Sequence, residues 1–138
     1  PILVELKSTL RREEAVAAVT EHMRGYNGNY AYCSFDPLIL KIIKAHAPMQ
    51  IRGLNMEYSM DKKQFKLLTR IVLQFALLNP LNSPDYLSVD YSRVPFVYQF
   101  WRLTGSYGMK WAVPSQADED KLKGTCETVI FEHYLPKA

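Results

Sequence analysis

Ile2-Leu3-Val4-Glu5-Leu6-Lys7 is the stretch that decides the fold. An apolar run of strand type ends in a carboxylate and an ammonium two residues apart. Side chains alternate along a strand, so Glu5 and Lys7 share a face at its C-terminal tip. In parallel α/β architectures that tip is where active sites are assembled. A carboxylate and an ammonium there suit a divalent cation and an anionic substrate.

Working outward, strand and helix patterns alternate to the end of the chain. Ser8 or Thr9 is expected to cap a helix that carries Glu13 and Glu14 in its first turn and Val16, Val19, His22 and Met23 at helical spacing. Gly25 and Asn27-Gly28-Asn29 stop it. Tyr30–Phe35 reads as a second strand, and Asp36-Pro37 as an N-cap followed by proline at the first helical position. That helix carries Leu38, Leu40, Ile42 and Ile43 and ends before Pro48. A short strand over about 50–55 precedes the longest predicted helix, about 61–78, with Phe65, Leu68, Ile71, Val72, Phe75 and Leu78 on one face and basic residues opposite. Strand 86–90, a helix over about 94–104 with Ser92 as its cap, strand 109–113, a short acidic helix capped by Ser115 and strand 128–132 complete the series. Six strands in strict alternation with five helices predict a parallel sheet with right-handed crossovers. Glu5, Ser34, Asn55, Asp90, Trp111 and Glu132 lie at the strands' C-terminal ends, the rim where a barrel builds its site. Six strands are too few to close an eight-stranded barrel.

Composition sets bounds. The 138 residues suffice for one domain, 48% hydrophobic and 22% charged. The net charge of +3, from 17 basic and 14 acidic residues, is scattered. It argues against nucleic acid as a partner and is compatible with an anionic small molecule. Cys33 and Cys126 lie far apart without a CxxC, so neither a zinc site nor a disulfide scaffold is expected, and both read as core thiols. No run approaches the roughly 18 apolar residues of a membrane span. The chain opens on Pro1 inside a strand pattern, as expected of a piece of a longer or processed protein. Strands preceding Pro1 are expected to be missing, and membrane association through a missing upstream region stays open.

The ordered motifs resemble a known family. Val-Glu-Leu-Lys at 4–7, Cys-Ser-Phe-Asp-Pro at 33–37, Ile-Arg-Gly-Leu at 51–54, Asp-Tyr-Leu-Ser-Val-Asp-Tyr at 85–91 and Lys-Trp-Ala-Val at 110–113 are similar to the C-terminal part of the glycerophosphodiester phosphodiesterases, strands three to eight of a (β/α)8 barrel. The resemblance implies an α/β fold, an incomplete TIM barrel, over 1–138. It implies metal-dependent hydrolysis of a small-molecule glycerophosphodiester to an alcohol and glycerol 3-phosphate in the full-length parent. Glu5 would be one of three carboxylates on a divalent cation, Ca²⁺ or Mg²⁺, leaving an incomplete site in this chain. Lys7 would stabilise the phosphate oxygens. Trp111 would wall the site against the alcohol, and Ser34 would line the phosphate side. The family's His-Arg-Gly, its second histidine and two metal carboxylates have no counterpart here. Trp-Ala-Val-Pro at 111–114 replaces the family's Trp-Thr-Val-Asn, and Phe131-Glu132 stands where Thr-Asp is expected. The isolated chain is therefore expected to be inactive, and the alternative is a catalytically inactive fragment or homologue acting as an interaction or structural module. A barrel phosphodiesterase acting on phosphoinositides or sphingomyelin-like lipids is a further alternative.

The remaining candidates read as structural. His22 reads as a packing or surface residue, His46 as a helix-end cation, and His133 as the one histidine close to the rim. Phe96, Tyr98, Phe100 and Trp101 read as core at helical spacing. With two flanking strands missing, the edges at 2–6 and 128–132 are expected to recruit a second copy or a missing N-terminal segment in trans.

Overall fold

The computed structural model describes residues 1–56 and 83–137. The helix expected over 61–78 lies outside the described residues. Strands β1 (Ile2–Glu5), β2 (Tyr30–Ser34), β3 (Arg52–Met56), β4 (Tyr86–Asp90), β5 (Tyr107–Val113) and β6 (Thr128–Phe131) alternate with helices α1 (Arg12–Met23), α2 (Pro37–His46), α3 (Phe96–Leu103) and α4 (Gln116–Leu122). Every neighbouring pair is parallel, in the order β1-β2-β3-β4-β5-β6. This is an incomplete (β/α)8 barrel, with the six strands forming a curled sheet.

Strand alternation divides the side chains between two faces. The outer face meets the helices and holds the core: Leu6, Tyr32, Leu54, Met56, Leu87 and Val89 pack with Val16 of α1, Ile39, Leu40 and Ile43 of α2, and Tyr98 of α3. Burying each of those three α2 side chains contributes about 1.5–3 kcal/mol. The buried stripe of α2 is Ile39, Leu40 and Ile43, with Ile42 half-buried against the core, while Leu38 turns outward. The expected aromatic core over α3 divides likewise. Tyr98 is fully buried, Trp101 half-buried, and Phe96 is 87% exposed, with Phe100 also exposed.

Local signals account for two of the four described helix starts. Asp36 caps α2, its Oδ1 accepting from Leu38 N–H at 3.0 Å, with Pro37 behind it. Ser115 caps α4, its Oγ accepting from Asp118 N–H at 3.2 Å. Two expected caps differ. The N-cap position of α1 is Arg11, with no side-chain cap bond, because Thr9 Oγ1 accepts from Arg11 N–H and Ser8 turns to Asp36. Ser92 closes an Asx turn instead of capping α3: its N–H and Oγ–H both donate to Asp90 Oδ1, at 2.7 and 2.6 Å.

The concave face is built in layers set by register. Glu5 pairs with Cys33, Cys33 with Gly53, and Gly53 with Tyr86. Gly53 leaves a gap that the Tyr86 ring fills: a Cβ there would stand 2.0 Å from the ring. The Tyr86 hydroxyl crosses to donate to the Tyr32 carbonyl at 3.2 Å. Above this layer β5 is irregular. Its register shifts between Lys110 and Val113, and Ala112 takes φ +59. A β-branched side chain is strained at such an angle, and alanine avoids the branch. The bulge lies immediately after Trp111, where bulges re-aim side chains.

Candidate active-site rim

Lys7 Nζ and Glu5 Oε1 lie 2.7 Å apart at the end of β1, with the lysine side chain 79% and the glutamate 32% exposed. The hydrogen bond to the carboxylate, then its charge, holds the Lys7 ammonium above the ordinary lysine range, so it is firmly cationic. Lys7 also stands 6.0 Å from the centre of the Phe35 ring, at the end of β2. Phe35 in turn meets Trp111 of β5 edge to face, ring centres 6.3 Å apart. Residues from β1, β2 and β5 therefore converge across the concave face at its C-terminal end. The indole Nε1 of Trp111 is shielded from solvent and meets no acceptor among the described residues.

Three of the four residues expected at the site, Glu5, Lys7 and Trp111, come together here. Ser34 is fully buried on the helix side of β2. Its one hydrogen is donated to the Leu6 carbonyl at 2.7 Å, and its oxygen accepts from Asp36 N–H at 3.0 Å. It offers no donor to a phosphate in this arrangement. Phe35 is the residue sequence reasoning left unassigned. Its signal was parity: two beyond Cys33, it takes the same face as Glu5 and Lys7.

A divalent cation does not fit the described residues. Glu5 is one carboxylate already bonded by Lys7, its register partner is the Cys33 thiol, and Asp90 Oδ1 is occupied by Ser92. Among the described residues no three His, Cys, Asp or Glu side chains gather as a metal-binding group. Burial pushes the Cys33 thiol up, away from the thiolate a metal would need. Cys126 is half-buried, so the expectation of two core thiols holds for Cys33 alone. Two of the histidines pair with glutamates other than Glu5. His22 is exposed in the last turn of α1, His46 Nε2 lies 3.4 Å from Glu13 Oε2, and His133 is exposed beside Glu132 at 3.9 Å. Among the described residues no helix is long and apolar enough to cross a membrane.

The chain shares the fold of glycerophosphodiester phosphodiesterases of known structure. Over 94% of its length it superposes on a Silicibacter pomeroyi protein assigned as a glycerophosphoryl diester phosphodiesterase, with TM-score 0.69 and 20% identity, covering 46% of that protein. It matches a phosphodiesterase from Oleispira antarctica in complex with the product sn-glycerol-3-phosphate over 87% of the chain and 46% of the other, with TM-score 0.64 and 20% identity. A glycerophosphodiester phosphodiesterase from Parabacteroides distasonis matches with TM-score 0.63 and 15% identity, over 94% and 52%. The chain thus spans about half the length of these structures. No family model matches it, and no curated protein matches it.

Proposed function

We propose that this rim is the phosphate side of a glycerophosphodiester-hydrolysing barrel, and that the chain belongs to the glycerophosphodiester phosphodiesterases as the C-terminal part of their domain. The observation that carries the reading is the convergence of Lys7, Phe35 and Trp111 from three strands at the C-terminal rim. The shared fold supports it. Lys7 takes the phosphoryl oxygens, where a fixed cation favours charge that builds in the transition state. Phe35 and Trp111 wall the alcohol portion. Glu5 holds Lys7 in place. A divalent cation needs further oxygen ligands beside Glu5, and no step is assigned to one. No proton transfer is assigned either.

The second reading is an inactive homologue or fragment that keeps the binding rim without the chemistry. The pairing of His46 with Glu13 and of His133 with Glu132 favours it for this chain. One experiment separates the two. The 138-residue protein is titrated with sn-glycerol 3-phosphate by calorimetry and assayed for glycerophosphocholine hydrolysis with Ca²⁺ or Mg²⁺ present. Saturable binding that Lys7→Ala weakens at least about tenfold, the scale of one charged hydrogen bond, is expected, without turnover. Binding that ignores Lys7→Ala overturns the rim assignment, and turnover overturns the inactive reading.

A further inference from the structure

The segment from the end of β1 to the start of α1 is tied to the turn between β2 and α2 by three side-chain hydrogen bonds, from Ser34 to Leu6 and from Ser8 and Arg12 to Asp36. Ser34 Oγ donates to the Leu6 carbonyl and accepts from Asp36 N–H. Asp36 Oδ2 accepts from Ser8 Oγ at 3.0 Å and from Arg12 Nε at 2.7 Å. Leu6 N–H adds a backbone bond to the Cys33 carbonyl at 2.9 Å. Lys7 thus lies between two anchored neighbours, Leu6 and Ser8, while its own side chain stays exposed.

The arrangement is not the one helix stability alone selects. Ser8 and Thr9 sit where a cap for α1 is expected, yet α1 has no side-chain cap bond to its first turn. The Ser8 hydroxyl is given to Asp36 instead. Asp36 meanwhile needs only Oδ1 to cap α2, and its second oxygen is the one that receives Ser8 and Arg12. The two oxygens have separate tasks, one within its own helix and one on the neighbouring segment.

We infer that Asp36, together with Ser34, is a positioning residue: it latches Leu6–Arg12 onto the β2–α2 turn and so fixes Lys7 at the rim for a phosphate oxyanion. The inference rests on the assignment of Lys7 to phosphate made above. It also gives Ser34 a role at the site without contact to the ligand.

Asp36→Asn tests it, because asparagine caps a helix as well as aspartate does. Its one carbonyl oxygen keeps the Leu38 bond, and its NH₂ cannot accept from Arg12. Ser8→Ala is the second variant and leaves the cap untouched. Amide relaxation in the full chain reads the segment directly. In Asp36→Asn the order parameters of residues 7–11 fall from the rigid range, about 0.85, toward the flexible range below about 0.6, while those of Leu38–Ile43 stay put. The Arg12 Nε–H resonance moves with them. Affinity for sn-glycerol 3-phosphate falls about fivefold or more, and Lys7→Ala then costs less in the Asp36→Asn background than in the wild type. An unchanged 7–11 segment in both variants overturns the latch, as does equal loosening of α2, which would mean capping alone. A loosened segment in a protein whose phosphate affinity never depended on Lys7 sinks the assignment of Lys7 and leaves the latch standing.

Discussion

Phe35 and Trp111 meet edge to face with ring centres 6.3 Å apart, although β3 and β4 separate their strands. Three inter-strand steps across a flat sheet are about 14 Å. Curvature brings the two rims together, and long side chains at the strand tips close the remaining distance. An incomplete barrel can therefore still present one focused site.

Phe35→Ala should open that contact. In a Trp101→Phe background, where Trp111 is the sole indole, emission shifts to the red as the ring gains water. Stability drops by about 1–3 kcal/mol, less than for a fully buried phenylalanine because Phe35 is half-exposed. An unchanged emission maximum shows that the rings do not meet in solution.

Glu5→Gln separates the two roles open to Glu5. Without the carboxylate that accepts its hydrogen bond, the Lys7 pKa falls back toward the ordinary lysine value, measurable by side-chain NMR titration. Lys7 stays protonated at neutral pH and loses a competing anion. In metal-free buffer sn-glycerol 3-phosphate then binds about two- to fivefold more tightly, the scale of an exposed ion pair. Weaker binding instead means that the hold of Glu5 on Lys7 outweighs its competition with the phosphate.

How far the site could be read beforehand follows from which rule each residue obeys. Glu5, Lys7 and Phe35 obey strand parity, so their common face is legible from spacing alone. Asp36-Pro37 and Ser115 obey local capping chemistry, and both caps stand. Ser8 and Ser92 fail as caps because a better acceptor, Asp36 or Asp90, lies within reach through the fold or the turn. Ser34 shares its neighbours' motif but not their face, and parity with Tyr32 places it toward the helices. Trp111 reaches the rim next to a bulge that no propensity announces. The exposure of Phe96 and Phe100 depends on what lies against α3, which helical spacing does not encode.

Gly53→Ala is expected to disturb the concave layer out of proportion to one methyl. The new Cβ would stand 2.0 Å from the Tyr86 ring, which is buried and hydrogen-bonded to the Tyr32 carbonyl. Overpacking of this kind costs about 1–3 kcal/mol. In Gly53→Ala with Tyr86→Ala the two losses are not additive, because the clash disappears with the ring. Additive losses in chemical denaturation rule out the contact.

Stability should fall on the alkaline side. Burial pushes the Tyr32 phenol up to about 12, and burial likewise raises Tyr86, Tyr98 and the Cys33 thiol. Unfolded tyrosine and cysteine titrate near about 10 and 8.5. The folded state thus holds these protons more tightly, so their contribution is full below about pH 8 and is lost as pH rises through the folded values. Lys110, lowered by burial, acts in the opposite sense and offsets part of the loss. Melting temperature measured from pH 7 to 11 should decline, with delayed phenolate absorbance in the native protein. A flat profile to pH 11 contradicts the burial of these phenols.

The last expectation concerns the two ends of the sheet. Among the described residues β1 pairs only with β2 and β6 only with β5. The N–H groups of Ile2 and Leu6 go to carbonyls of Asn29 and Cys33, so those of Leu3 and Glu5, alternating, face the open edge. Apolar side chains line both edges: Ile2 is 44% and Leu3 38% exposed on one, Ile130 38% and Phe131 44% on the other. Unpaired backbone flanked by exposed apolar side chains is a template for another strand, and little in these edges opposes pairing. The 138-residue chain should therefore self-associate, with mass by light scattering rising across a concentration series. Leu3→Lys with Phe131→Lys puts charge on both edges and should return the chain to monomer without loss of helical signal. A monomer at every concentration, with the Leu3 and Glu5 amides protected from exchange, would mean that these edges are already covered within one chain.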